Sequence, residues 1–275
     1  MLVVIVASAW AGSQDLSLSA MSDHGGEHVV IDLNPSYLGL CRQLGTMIAN
    51  RPVAPAKTTG SNGFALTFGN TFAFPRRTEA DGTPSPFTRA DVNEDPGLFQ
   101  VVPEITAQKG LPMSTEIGVT AKWIAGSDAG AIGVWGRAAL VEGSKPWPDL
   151  SLHWGYSGLV GNDELEIGTA DVGVTLGTTL PFGGAVVKNG TFSPWLDFTS
   201  MSVRAAPVLR ADVAAEVGAA PVTGTKSSAA YHADMVIPQV AGGFQIANGT
   251  FLLRMSGSWA PRAVPTGAFA LGFTW

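Results

Sequence analysis

Thr250-Phe-Leu-Leu-Arg-Met-Ser-Gly-Ser-Trp259 puts Phe251, Leu253, Met255 and Trp259 on one side of an extended chain, and Leu252, Arg254, Ser256 and Ser258 on the other. Successive side chains of a strand point to opposite faces, so the stretch reads as a strand with one apolar and one largely polar face. Gly257 leaves a gap in the apolar row. Past a turn-like segment between Pro261 and Pro265, residues 267–275 repeat the pattern. Phe269, Leu271, Phe273 and Trp275 point one way; Ala268, Ala270, Gly272 and Thr274 point the other.

The same alternation recurs from Gly63 onward, with turn chemistry between segments. Strands are read at 63–74, 98–108, 114–125, 131–141, 150–158, 171–182, 191–203 and 233–246, which with the two above makes about ten, in a range of eight to twelve. Residues 109–112 read as a tight turn. Parity slips between Ile167 and Val172, so 161–170 reads as a loop. Residues 204–232 suit a loop, a helix (Leu209, Val213, Val217) or a further strand.

Composition narrows the class. The 275 residues are only 14% charged and include 34 glycines, yet mean hydropathy is just +0.21. No apolar run approaches the ~18 residues of a spanning helix. Apolar residues are instead spread in small alternating doses, as in a transmembrane barrel or a large β-sandwich. A net charge of −6 offers no basic field for nucleic acid. Cys41 is the single cysteine, so there is no internal disulfide and no cysteine-based metal cluster. Neither a cofactor nor a metal is expected.

The alternation, and the close on Phe273-Thr274-Trp275, resemble Gram-negative outer-membrane β-barrels over about residues 60–275. The resemblance implies an all-β, antiparallel, up-and-down transmembrane barrel with large residues on lipid and small or polar ones in the lumen. It also implies location in the outer membrane and contact with its lipid and lipopolysaccharide. Phe273 and Trp275 would be the signal read by the barrel-assembly machinery. Both termini would be periplasmic, which an even strand count satisfies. Residues 75–97, 161–170 and 204–232 would then lie outside, and the turns at 109–112, 142–148, 183–190 and 247–249 inside. Trp123, Trp147, Trp154, Trp259 and Trp275 fall at or near strand ends, as in aromatic girdles; ordinary sheet aromatics are the other reading.

The start of the chain reads differently. Residues 2–11 suit the apolar region of a signal peptide, with Ala9-Trp10-Ala11 as a small-x-small cleavage site, although the basic n-region is missing. A buried N-terminal strand is the alternative. Residues 12–59 form an N-terminal periplasmic or plug segment ahead of a barrel at 60–275. Asn34-Pro35 offers an N-cap followed by proline, and Tyr37, Leu40, Cys41, Leu44, Met47 and Ile48 follow at helical spacing. The expectation is a short amphipathic helix on or inside the periplasmic mouth, with a short strand at 29–33. Asn34-Pro35 also resembles, more faintly, FadL-type transporters, whose N-terminal segment plugs a larger barrel; that likeness implies transport of a hydrophobic compound.

Glu104, Glu116, Lys122, Arg137, His153, Asp171, Asp197 and Arg254 fall at inward positions. Mixed charges in a narrow barrel either neutralise one another and fill the lumen, or form a constriction that selects among solutes. Glu104 and Lys122 lie on neighbouring strands, as diagonal partners. The expected function is a small pore or transport protein for a small-molecule solute, or a structural membrane protein. An enzyme would need a histidine with a serine or acid partner near the outer rim. His24 and His28 precede the barrel, His153 starts a strand at the inner end, and His232, near Asp234, has no second partner set by a motif. No catalytic residue is assigned. A secreted β-sandwich adhesin is the soluble alternative, and it should show a polar outer face.

Overall fold

The computed structural model describes residues 16–18, 35–49, 54–91, 98–143, 148–162, 164–183, 189–207 and 233–275. A helix α1 (Pro35–Ile48) precedes β1 (Phe64–Ala73), and a short α2 (Pro86–Ala90) separates β1 from β2 (Gln100–Leu111). There follow β3 (Thr115–Trp123), β4 (Gly130–Val141), β5 (Asp149–Val160), β6 (Leu165–Gly177), β7 (Leu180–Phe182), β8 (Gly190–Pro207), β9 (Ala233–Asn248), β10 (Phe251–Trp259) and β11 (Thr266–Thr274).

Ten of these strands form one closed antiparallel ring: β1 to β6 in chain order, then β8 to β11, then β1 again. The short β7 continues β6 along β8 in the same register, so the two together make one interrupted strand of the ring. Closure leaves no open edge, the condition for strands to sit in hydrocarbon, where an unpaired amide has no water to turn to. The seam is β1 against β11, with Leu66 opposite Phe273. Beyond the last pair, Phe64 and Trp275 exchange backbone hydrogen bonds of 2.7 and 3.0 Å. A single closed sheet removes the β-sandwich alternative.

The two faces are inverted relative to a soluble protein. Phe68, Ile117, Val119, Ile132, Val134, Val172, Phe198, Met255 and Leu271 are exposed, while Thr67, Thr120, Ser157, Thr175 and Thr199 are buried inside the ring. Water would not tolerate that wall, whereas lipid requires it. Among the described residues no helix is long and apolar enough to cross a membrane.

Inner and outer ends differ. The inner end, where Gly63 and Trp275 meet, carries short turns, including 112–114 with Met113 and Ser114 at φ 62° and 51°. The outer end carries residues 74–91 with α2, and β8 ends and β9 begins there. Trp123 and Trp259 lie at the outer rim and Trp275 at the inner one, all exposed. Trp154 departs from the girdle reading: it lies within β5, laid over Gly136, where a Cβ would come 2.6 Å from its ring. Trp147 lies outside the described residues, as do the signal segment, residues 29–33, Asn34 and His232.

Several boundaries shift for physical reasons. The turn expected at 109–112 is strand as far as Leu111. Gly110 serves close approach rather than turning, since a Cβ there would sit 1.8 Å from the Gly60 carbonyl oxygen. The loop expected at 161–170 is strand from Leu165, and 171–182 divides between β6 and β7. Parity never slips: odd residues of β6 face inward throughout, but Leu165 and Ile167 meet an apolar helix there and are buried. Residues 204–207 continue β8.

That helix is α1, whose Tyr37, Leu40, Cys41, Leu44, Met47 and Ile48 are all buried against Val102, Ile124, Ile167, Met201, Val203, Ile237 and Val264. These partners belong to the outer half. The helix therefore lies inside the lumen, in the half away from the end where β1 begins and β11 finishes, which the sequence reading takes as the periplasmic one. The reason is apolar matching, because the inward face of the outer half is Val, Ile, Met and Ala while that of the inner half is polar. Gly45 permits the contact: a Cβ would meet Val203 Cγ1 at 2.5 Å.

Candidate functional site: the filled lumen

All eight charged residues singled out from the sequence project into the lumen; the strand registers set five of them opposite one another, and His153 brings in Asp171 and Asp197 by side-chain contact. Glu104 is directly opposite Lys122, not diagonal to it, with Nζ 3.3 Å from Oε2. Glu116 is directly opposite Arg137, with Nη1 3.1 Å from Oε1 and both side chains almost wholly buried, at 0% and 1% exposure. His153 follows across β4 and β5, opposite Arg137. Its Nε2 lies 2.7 Å from Asp197 Oδ2, and its Nδ1 3.7 Å from Asp171 Oδ1. Asp197 also accepts hydrogen bonds from the Thr175 and Thr199 hydroxyls. The eighth, Arg254, instead donates from Nε and Nη2 to Gln245 Oε1, at 3.2 and 2.8 Å.

These groups do more than balance one another. Below α1 the chain continues along the lumen through 54–63 to the start of β1, and the charges hold it. Lys122 Nζ donates to the Ala49 carbonyl at 2.9 Å, at the helix end, where Ser157 Oγ donates to Ile48 O at 2.8 Å. Arg137 Nη1 donates to Pro55 O at 2.7 Å. Glu116 accepts from the Thr59 amide at 3.1 Å, and Glu142 from the Thr58 amide and hydroxyl. Buried carboxylates and guanidinium groups survive desolvation only when their remaining hydrogen-bonding capacity is met. Here the strap's backbone supplies part of it.

Beneath the strap the lumen opens to the inner end as a cavity of about 490 Å³, lined by Lys57, Gln108, Thr179, Gln245 and Arg254 among others, with Trp275 at its rim. Sequence reading missed Glu142, Gln245 and Ser157, each defined by contacts 9 to 109 residues away along the chain. No local motif marks such partners. Glu142 in particular sits in a turn and gives no signal. Asp234, considered beside His232, pairs instead with Arg204 at the surface, 2.9 Å away. Among the described residues no cluster of three or more His, Cys, Asp or Glu is placed to hold a metal. Phe273 and Trp275 are both on the exterior, with Trp275 4.9 Å from Phe64 and Phe273 6.2 Å from Phe251, ring to ring.

No protein-family model matches the chain. No curated protein matches it in sequence. Among solved structures it is similar to Ail, the attachment invasion locus protein of Yersinia pestis, with 10% identity, a TM-score of 0.27, and 78% of this chain and 99% of that one covered. It is similar to the KdgM porin, with 7% identity, a TM-score of 0.31 and coverage of 77% and 98%. The outer membrane protein Omp33 of Acinetobacter baumannii is a third, with 8% identity, a TM-score of 0.30 and coverage of 78% and 98%. A likeness to FadL-type transporters is not shown. By its own strand pairing, closure and apolar exterior, the chain has the fold of a Gram-negative outer-membrane β-barrel.

Proposed function

We propose that this protein works as an outer-membrane barrel kept shut at rest by its own N-terminal segment. The observation that carries the reading is the occupation of the lumen by α1 in the outer half and by 54–63, held at Pro55, Thr58 and Thr59, above the inner-end cavity. The polar network then serves as a set of pins rather than as a selectivity filter. A gated path for a small solute is the second reading, favoured by the cavity at the inner end. A catalytic role is disfavoured, because His153 is 1% exposed and shut away from any substrate. Outer-leaflet lipid and lipopolysaccharide would contact the apolar wall, and Phe273 and Trp275 would mark the last strand for the assembly machinery.

Single-channel recording in planar bilayers tests the closed state. The full chain should give no steady conductance, and deletion of residues 12–59 should open a stable one. Steady conductance of the intact chain would overturn the reading. Openings that appear only when Arg137 is replaced would select the gated form.

A further inference from the structure

Four of the sixteen basic residues of this acidic chain meet in one pocket at the outer mouth. Arg42 comes from α1, Arg76 from the segment after β1, Arg89 from α2, and Arg262 from the turn between β10 and β11. They line a cavity of about 350 Å³ in which Glu79 is the one carboxylate among the described lining residues, with Asp81 acting on Arg89 from nearby. The pocket exists because α1 lies in the outer half and is packed against α2 there; a Cβ at Gly39 would come 2.8 Å from Pro86 Cγ.

Among the described residues the ion pairs lie elsewhere, and none uses these four guanidinium groups. Like charges gathered in one concavity repel, and they raise the local concentration of anions. Two buried groups beneath them are also unmet. Gln43, which lines the pocket, is 6% exposed and its Oε1 has no hydrogen-bond donor. Arg89 Nε is buried without an acceptor. Both groups belong to the lining of this one pocket, where water or a bound ligand would complete them.

The chemistry of that ligand follows from the lining. Guanidinium forks fit the oxygens of phosphate and sulfate, often two at a time. The Gln43 carbonyl can accept from a hydroxyl, and four guanidinium groups suit a ligand with more than one oxyanion group. We propose that the outer-mouth pocket binds a phosphate or sulfate ester of a sugar-like polyol. Arg42 and Gln43 belong to the lumen helix, so the pocket opens over the mouth rather than on the lipid-facing wall, which favours a soluble ester over a lipid headgroup.

Isothermal titration of the folded full chain in detergent, with inositol hexakisphosphate, inorganic phosphate and inositol, is the test. The hexakisphosphate should bind, phosphate more weakly, and inositol not at all. Arg76 and Arg262 are exposed, so Arg76→Gln with Arg262→Gln should keep the heat-modifiable gel migration of the folded barrel. Loss of two charge-assisted contacts should weaken binding at least about tenfold. Absence of binding to the wild type, or equal binding by the double variant, would overturn the proposal. Repeating the titration in nanodiscs assigns the source: binding lost only with phosphorylated glycolipid present identifies its headgroup as the occupant, and binding retained identifies a soluble ester.

Discussion

Arg137→Met is the sharpest test of the pinned lumen. The substitution keeps much of the side-chain volume and removes, among other contacts, the 3.1 Å ion pair with Glu116 and the 2.7 Å hydrogen bond to Pro55 O. It strands a carboxylate whose side chain is 0% exposed. Breaking a buried pair from one side costs about 3–5 kcal/mol. The unsatisfied Pro55 carbonyl would add about 1–3 kcal/mol, offset because Glu116 keeps the Thr59 amide as a donor. The expected loss is therefore about 3–5 kcal/mol in all, by urea unfolding of the barrel in lipid followed by tryptophan fluorescence. Glu116→Leu combined with Arg137→Met removes both charges and should recover about 2 kcal/mol of it, since a buried pair replaced by apolar residues is often near neutral. A loss below about 1 kcal/mol, or double and single effects that simply add, would refute the claim that this pair holds the strap.

Three further outcomes are expected. Leu271→Arg on the lipid face should cost about 2–4 kcal/mol near mid-membrane, and Ala270→Arg on the lumen face should not follow that depth dependence; matching losses in the same unfolding assay would contradict the assigned parity. In intact cells a membrane-impermeant maleimide should label Asp81→Cys in the outer connection but not Met113→Cys, although Met113 is 92% exposed; the native Cys41 is buried and does not interfere. The reverse labelling would invert the orientation. Deleting residues 273–275 removes the backbone exchange between Phe64 and Trp275 and the seam contact at Leu66, so the chain should fail to reach the heat-modifiable form and should be degraded; normal insertion would remove these residues from any role in assembly.

The period of two was enough to specify strands, their outward faces and a ring of about ten. That is because side-chain direction in a strand is a local property of the backbone, and a lipid-facing wall writes it as alternating large and small residues. By the same alternation all eight charged candidates fall at inward positions. Local spacing also specified α1, through six apolar residues at helical intervals. What alternation could not carry was the position of that helix along the barrel axis. Only the ring closure shows that the outer half of the lumen is lined by Val203, Ile237 and their neighbours, so that the apolar helix belongs there. The same fact explains the strand missed at 165–170: with a helix inside, Leu165 and Ile167 are apolar and inward, and large residues no longer mark the outside. Pairing likewise awaited the register. Glu116 meets Arg137, and Arg137 meets Pro55, across 82 residues. Such contacts depend on closing the sheet and threading the chain through it, which no window of sequence contains.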